Sequence, residues 1–226
     1  MSKKSHRPPP AENNPSSRRD VVVSVVLAAG SGQRLGGPKA LLAWPPRSPG
    51  APELPLAIAH AEARLAAESR LVLVVTRPPV VHALLSYVRP GIDLLASTAA
   101  DELGPAGSLA FASSRLAEAR AVVVTPVDAP PARAETVQSL LARLLADPAT
   151  LAVRPRYDRR AGHPVVLRPA ALEVYQGKTP PPLREHLRAL GAACVDVDVD
   201  DSAVLVDLDT PAQVAVWLRA PPRFLR

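Results

Sequence analysis

A run of mostly β-branched residues at 21–27, Val-Val-Val-Ser-Val-Val-Leu, breaks directly into Ala28-Ala29-Gly30-Ser31-Gly32-Gln33-Arg34-Leu35-Gly36-Gly37-Pro38-Lys39. The run is short and apolar, which predicts a buried strand. Glycines at 30, 32, 36 and 37 then allow tight turns with backbone N–H groups facing an anion. Arg34 and Lys39 add mobile positive charge to those fixed dipoles. A strand that ends this way is expected to deliver a nucleotide-phosphate cradle.

Spacing separates the phosphate loops that such a stretch could form. A dinucleotide GxGxxG fingerprint begun at Gly30 would need glycine where Leu35 stands, and no clear acidic strand end follows to hold a ribose. A Walker loop begun at Gly32 reaches Gly37, but Pro38 displaces Lys39 by one place and Ala40 stands where a magnesium-binding hydroxyl belongs. The stretch resembles instead the signature LAAGxSxRMGxPK of the MobA-like nucleotidyltransferases, the molybdenum-cofactor cytidylyl- and guanylyltransferases, with Gly32 and Leu35 as mild departures. That resemblance implies nucleotide contacts from Leu27, Ala28, Ala29, Gly30, Ser31, Gly32, Gly36 and Lys39. It also implies that Arg34 and Lys39 act catalytically, on charge that develops during transfer.

With 226 residues, 47% of them hydrophobic, the chain is long enough for one substantial α/β core. Residues 20–226 are assigned to that domain and residues 1–19 to a disordered basic tail, because the stretch 2–19 is Pro-rich and lacks periodicity. Part of the net charge of +6 lies in that tail. Aromatics make up only 3%, which argues against a nucleic-acid partner that would need stacking surfaces. A single cysteine, Cys194, excludes an intramolecular disulfide framework and reads as a small core residue in a reducing compartment. No apolar run approaches the length of a membrane span and the start of the chain is polar, so the expected location is the cytoplasm.

Helices and strands alternate after the cradle, the pattern of a Rossmann-like, mostly parallel sheet covered on both faces. Helices are expected at 56–67, 80–88, 108–118 and 183–190, and strands at 71–76, 92–96 and 121–125. Val137, Leu140, Leu141, Leu144 and Leu145 follow the spacing of an amphipathic helix. Shorter strands are expected near 151–154, 164–167, 193–197 and 204–206, with a loop over 45–55. Thr210 and Pro211 suit the cap and first turn of a closing helix. The resemblance implies the related nucleotidyltransferase, or GT-A-like, arrangement.

Ligands of open α/β sheets bind beyond the carboxyl ends of the strands, which nominates three loops. The first is the cradle. The second is Pro126-Val127-Asp128-Ala129-Pro130, where prolines stiffen a turn that holds a carboxylate suited to magnesium, unless Asp128 only caps the turn. The third is Asp207-Leu208-Asp209-Thr210-Pro211, similar to the family's Asp-x-Asp-Thr-Pro segment, which implies Asp209 as a second metal ligand. Asp209 could equally be a carboxylate stabilised by a helix N-terminus. Asp196, Asp198, Asp200 and Asp201 read as a solvated acidic run.

Two further segments carry family resemblance. Gly162-His163-Pro164-Val165 is similar to a Gly-His-Pro-Val segment beside the acceptor, which implies acceptor contacts from Gly162 and His163; a structural turn histidine is the alternative. Gly104-Pro105-Ala106-Gly107-Ser108 resembles a Gly-x-Gly-x-Ser stretch, implying that Gly107 and Ser108 contact base or ribose, unless Ser108 is a helix cap. Together these features predict a magnesium-dependent nucleotidyltransferase. It would pass a nucleoside monophosphate, CMP by preference, from a triphosphate to a phosphorylated small-molecule acceptor such as a molybdopterin-type cofactor. A sugar-phosphate or isoprenoid-precursor nucleotidyltransferase and a non-catalytic nucleotide-binding regulator are the rival readings.

Overall fold

The valines at the cradle's entrance form β1 (Val22–Leu27), a strand whose six residues are all buried. In a computed structural model that describes residues 21–46 and 48–225, β1 lies inside one large sheet. The tail expected over residues 1–19 lies outside the described residues. The remaining sheet strands are β4 (Ser69–Thr76), β5 (Ile92–Ala96), β6 (Ala121–Pro126), β7 (Ala152–Tyr157), β8 (Arg160–Ala161), β9 (Val165–Leu167) and β10 (Cys194–Asp198). Their order is β10-β7-β9-β6-β1-β4-β5, with β8 paired to β7. Parallel pairing joins β1 to β4 and β6, β4 to β5, and β7 to β10. Only the short β9 runs against this grain, antiparallel to β6 and β7, and β8 folds back on β7.

The two-residue period of β1 sorts its side chains onto both faces. Val23, Val25 and Leu27 join one core with Leu109 and Ala112 of α3 (Ala100–Ser113) and Leu187 of α5 (Leu183–Ala189). On the other face Val26 packs with α1 (Leu56–Ala66), α2 (Pro78–Leu84) and α6 (Pro211–Leu218). Val22 meets the apolar stripe Val137, Leu140, Leu141 and Leu144 of α4 (Ala134–Ala146). Each fully buried aliphatic side chain of this kind contributes about 1.5–3 kcal/mol. The arrangement is the single-domain, mostly parallel α/β fold that the alternation predicts.

Several local expectations change. Residues 204–206 are not a strand: Ser202–Leu205 is a short 3-10 turn, because the Asp201 carboxylate accepts the Ala203 N–H and bends the chain. The expected loop over 45–55 is flanked by a two-residue antiparallel pair, β2 (Ala43–Trp44) with β3 (Leu54–Pro55). The helix holding Ser108 begins earlier, at Ala100, and breaks at Gly104, whose φ of 58° and ψ of −147° are non-helical. Ser108 therefore lies inside a turn and is not its cap. Asp196 and Asp198 are not merely solvated, since they pair with Arg154 and Arg156 on the neighbouring strand. Thr210 does cap α6, in a capping box with Gln213, as its sequence predicts. Among the described residues no helix is long and apolar enough to cross a membrane.

Two buried polar side chains of α1 hold the loop after β6. His60 Nε2 donates to the Ala129 carbonyl at 2.8 Å, and the Arg64 guanidinium donates to the Ala132 carbonyl at 2.6 Å. Burial, then the Arg64 charge, lowers the His60 pKa from 6.5 to about 3, against the opposing effect of its backbone bond. Between those pH values the unfolded chain binds a proton that the fold refuses. Stability is therefore full above pH 6.5 and falls as pH drops through the window. His163, also lowered by burial, adds in the same direction, while the raised Asp207 opposes it. Urea unfolding at pH 7.5 and pH 5 should show a loss of about 2 kcal/mol at the lower pH. His60→Gln should flatten most of that slope.

Candidate active site

The exit of β1 is tied to the end of β4. Ala28 N–H donates to the Val75 carbonyl at 2.8 Å, Thr76 Oγ1 donates to the Ala28 carbonyl at 2.9 Å, and Arg77 Nε donates to the Ala29 carbonyl at 2.8 Å. The loop then closes on Gly32, whose carbonyl accepts the N–H groups of Leu35, Gly36 and Gly37 at 2.9, 3.0 and 3.2 Å. The amides of Gly36 and Gly37 thus point inward instead of toward an anion as expected, because the tight turn needs them to close. Gly32 has φ of 65°, and a Cβ there would lie 1.8 Å from the Gly37 carbonyl oxygen. Gly37 itself faces the Phe224 ring, 3.0 Å from where its Cβ would be.

Two other strand ends converge on this loop. Val127 N–H donates to the Leu27 carbonyl at 3.1 Å, which sets Asp128 beside the cradle. Leu208 N–H donates to the Asp128 carbonyl at 2.6 Å, and the Leu208 side chain is fully buried against Val26 and Val127. An extended segment with its middle residue inside must turn both neighbours outward. Asp207 and Asp209 consequently emerge on the side of Asp128.

Lys39 sits between carboxylates. Its Nζ donates to Asp209 Oδ1 and lies 3.7 Å from Asp128 Oδ2, while Arg34 donates to Asp209 Oδ2 at 2.8 Å. The Lys39 hydrogen bond, helped by the charges of Lys39 and Arg34, holds the Asp209 carboxyl below the usual range. Burial raises Asp207, and the adjacent negative charges of Asp128 and Asp209 raise it further. Three carboxylates therefore crowd two cations at one edge of the sheet. Asp128, Asp209, Arg34 and Lys39, all nominated from the sequence, come together here, and Asp207 and Arg77 join them without having been nominated. Both were accessible to the strand-end rule, since Arg77 directly follows β4 and Asp207 alternates with Asp209 about a core leucine.

Beside Asp128 opens a cleft of about 850 Å³, with Leu27, Ala106, Gly162, His163 and Asp207 among its walls. His163 faces Asp128, Asp207 and Arg154; burial lowers its pKa, and the two carboxylates act against that. Gly162 lines the cleft and has no room for a side chain, because a Cβ there would lie 2.0 Å from the Val204 carbonyl. Gly107 likewise packs too closely on the Ala99 carbonyl, at 2.4 Å, to hold a side chain. Ser108 is buried with its hydroxyl lacking a partner among the described residues. Unlike Gly162 and His163, Gly107 and Ser108 do not line the cleft.

A parallel α/β sheet with a glycine cradle, a lysine and facing aspartates at one edge defines a protein of nucleotidyltransferase type. Residues 24–193 match the MobA-like NTP transferase domain, and the chain belongs to that family. The match stops short of Asp207 and Asp209. Similar solved structures include Rv0371c of Mycobacterium tuberculosis H37Rv, 22% identical, with 89% of this chain and 100% of that chain covered and a TM-score of 0.67. The complex of Rv0371c with manganese is 19% identical over 89% and 99% of the two chains, with a TM-score of 0.70. A nucleotidyl transferase from Methanothermobacter thermautotroptrophicus is 19% identical over 88% and 95%, with a TM-score of 0.65. No curated protein matched the sequence.

The cradle's closure sets a firm steric test. Gly32→Ala forces a left-handed residue and a clash with the Gly37 carbonyl, so urea unfolding should show a loss of about 1–3 kcal/mol. Gly30→Ala, at a position with no atom within 4 Å of the added Cβ, should unfold close to wild type.

Proposed function

We propose that this nucleotidyltransferase transfers a nucleoside monophosphate, CMP in preference, to a phosphorylated small-molecule acceptor. The observation that carries this reading is the position of Lys39 between Asp209 and Asp128, with Asp128 in the wall of a cleft large enough for a second substrate. An acceptor phosphate oxygen attacks the α-phosphorus of the triphosphate. A new phosphorus–oxygen bond forms, the bond to the β-phosphate oxygen breaks, and the electron pair leaves on pyrophosphate. No protein nucleophile takes part, so the chain's work is positioning and charge stabilisation. The cradle from Leu27 to Gly36 holds the nucleotide, while Lys39 and Arg34 meet the charge that grows on the leaving group. Gly162 and His163 face the acceptor, for which the family supplies a molybdopterin-type phosphate as the first candidate. The single half-buried, free Cys194 suits a reducing compartment, and we place the protein in the cytoplasm.

The donor set fits a divalent ion. Burial raises the Asp207 carboxyl, and the nearby charges of Asp128 and Asp209 raise it further. Among the described residues, however, no three acidic, histidine or cysteine side chains form a ready-made metal cluster. That combination suits magnesium, which takes one or two protein carboxylates and completes its shell with water and substrate phosphate. Asp128 and Asp209 would hold it, and it would neutralise phosphate charge; the manganese held by the Mycobacterium tuberculosis neighbour supports the reading. In the free protein Asp209 occupies Lys39 and Arg34. A metal–triphosphate complex carries both signs of charge and can replace each partner of that network.

Two substitutions separate these roles. Asp128→Asn should keep the far-ultraviolet dichroism and lose most metal-dependent pyrophosphate release; near-normal turnover would remove Asp128 from the site. Asp209→Asn frees Lys39 and Arg34, so metal-free CTP should bind about two- to fivefold tighter, in line with a partly exposed ion pair, while turnover with magnesium falls. For base choice, we take the methyl of Ala29, a buried residue, to restrict the space beside the base. One methyl is worth about 1–3 kcal/mol, so calorimetry should find CTP tighter than GTP and the gap smaller in Ala29→Gly.

A further inference from the structure

The lining of the acceptor cleft is rich in arginine. Arg154, Arg160 and Arg184 all line it. Arg154 and Arg184, together with Leu187, also line an adjoining depression of about 320 Å³ whose other walls are Arg188, Gly191 and Cys194. The two spaces share these three residues and so form one continuous surface. The depression has no carboxylate in its lining.

The arginines are held there by the fold. Arg154 projects from β7, where Asp196 on β10 accepts from its Nε at 2.8 Å. Arg184 and Arg188 stand one helical turn apart on α5, on either side of Leu187, which anchors the helix in the core. Like charges at that spacing repel one another. Among the described residues, no carboxylate oxygen lies within 4.0 Å of a side-chain nitrogen of Arg160, Arg184 or Arg188. Four guanidinium groups therefore line the joined cleft and depression, whose lining carboxylates, Asp128 and Asp207, both lie on the cleft side, while Asp196 holds Arg154 from the neighbouring strand. Elsewhere the chain does pair such groups, as in Arg156 with Asp198 and Arg34 with Asp209.

We infer that this basic pocket is an anion subsite, and that the acceptor carries a second anionic group, a carboxylate or phosphate, besides the phosphate that attacks. The inference rests on the nucleotidyltransferase reading and narrows its acceptor class. An attacking phosphate must lie near Asp128 and the cradle, whereas the depression that joins Arg184 to Arg188 has neither Asp128 nor a cradle residue in its lining and so calls for an anion of its own. Guanidinium forks match carboxylate and phosphate oxygens in pairs, which orients an extended acceptor along the cleft instead of merely attracting it. The reaction that supplies this acceptor must accordingly deliver a molecule already bearing two separated anions.

Two probes that differ in one anion test the inference in the full chain loaded with CTP and magnesium. Calorimetry should find 3-phosphoglycerate, with a phosphate and a carboxylate, binding about tenfold or more tighter than glycerol 3-phosphate. The Arg184→Ala/Arg188→Ala double variant should erase that difference while CTP affinity stays at the wild-type value. The Arg184→Lys/Arg188→Lys variant, which keeps charge but loses the fork, should fall between. Equal affinities for the two probes, binding of neither, or a preference that survives the double alanine variant would overturn the subsite and show the arginines to be a solvated basic surface. Failure of CTP itself to bind the wild-type chain is a separate result, and it would count against the nucleotidyltransferase reading instead.

Discussion

Everything at the site depends on the register in which Leu27 lies opposite both Val75 and Pro126. Parallel strands with aligned ends release their loops at one level, and the bonds from Ala28 to Val75 and from Val127 to Leu27 continue the ladder one residue past the strands. The cradle and Asp128 are thus placed by sheet hydrogen bonds instead of by mobile side chains. A slip of one residue in this pairing would exchange the two faces of β1 and separate the cores that its alternate valines enter. The cost of such a slip is most of the buried area of the sheet, which makes the alignment robust.

On that base the protein assembles an edge whose charges satisfy one another. Lys39 and Arg34 hold Asp209, Lys39 approaches Asp128, and Asp207 is left as the carboxyl that burial, and then the charges of Asp128 and Asp209, push toward the neutral form. A network balanced in this way costs little in the free protein and can be exchanged for a ligand that also carries both signs of charge. The supports lie one layer deeper. His60 and Arg64 grip the carbonyls of Ala129 and Ala132, and the Asp201 carboxylate accepts from Arg133 N–H and Thr136 Oγ1 at the start of α4. The loop bearing Asp128 is therefore fixed at several points between β6 and α4.

The short antiparallel β9 gives the cleft beside Asp128 its shape. By separating β6 from β7 it carries Gly162 and His163 past the end of β6 and opens the space that Asp128 and His163 share. The arginines of β7, β8 and α5 line the same cleft and the depression that adjoins it. The cleft is acidic where a metal-bound nucleotide would sit and basic where the acceptor would extend.

Much of this was legible in the residues themselves. The valine runs fixed β1, β4 and β6 because only a buried strand accommodates such short β-branched stretches, and Thr210-Pro211 fixed the start of α6 because capping is a local interaction. Local chemistry also marked Arg34, Lys39, Asp128 and Asp209. What the sequence could not express was decided by contacts between distant segments. Ser202–Leu205 turns instead of pairing because of the Asp201 carboxylate, and Gly36 and Gly37 point inward because the Gly32 carbonyl collects their amides. Asp207 acquires its environment only because the buried Leu208 is bonded to the Asp128 backbone, and four arginines separated in the chain share one surface only after β7, β8 and α5 have packed. Propensity and periodicity act over a few residues, whereas charge and close packing act between whatever the fold brings together.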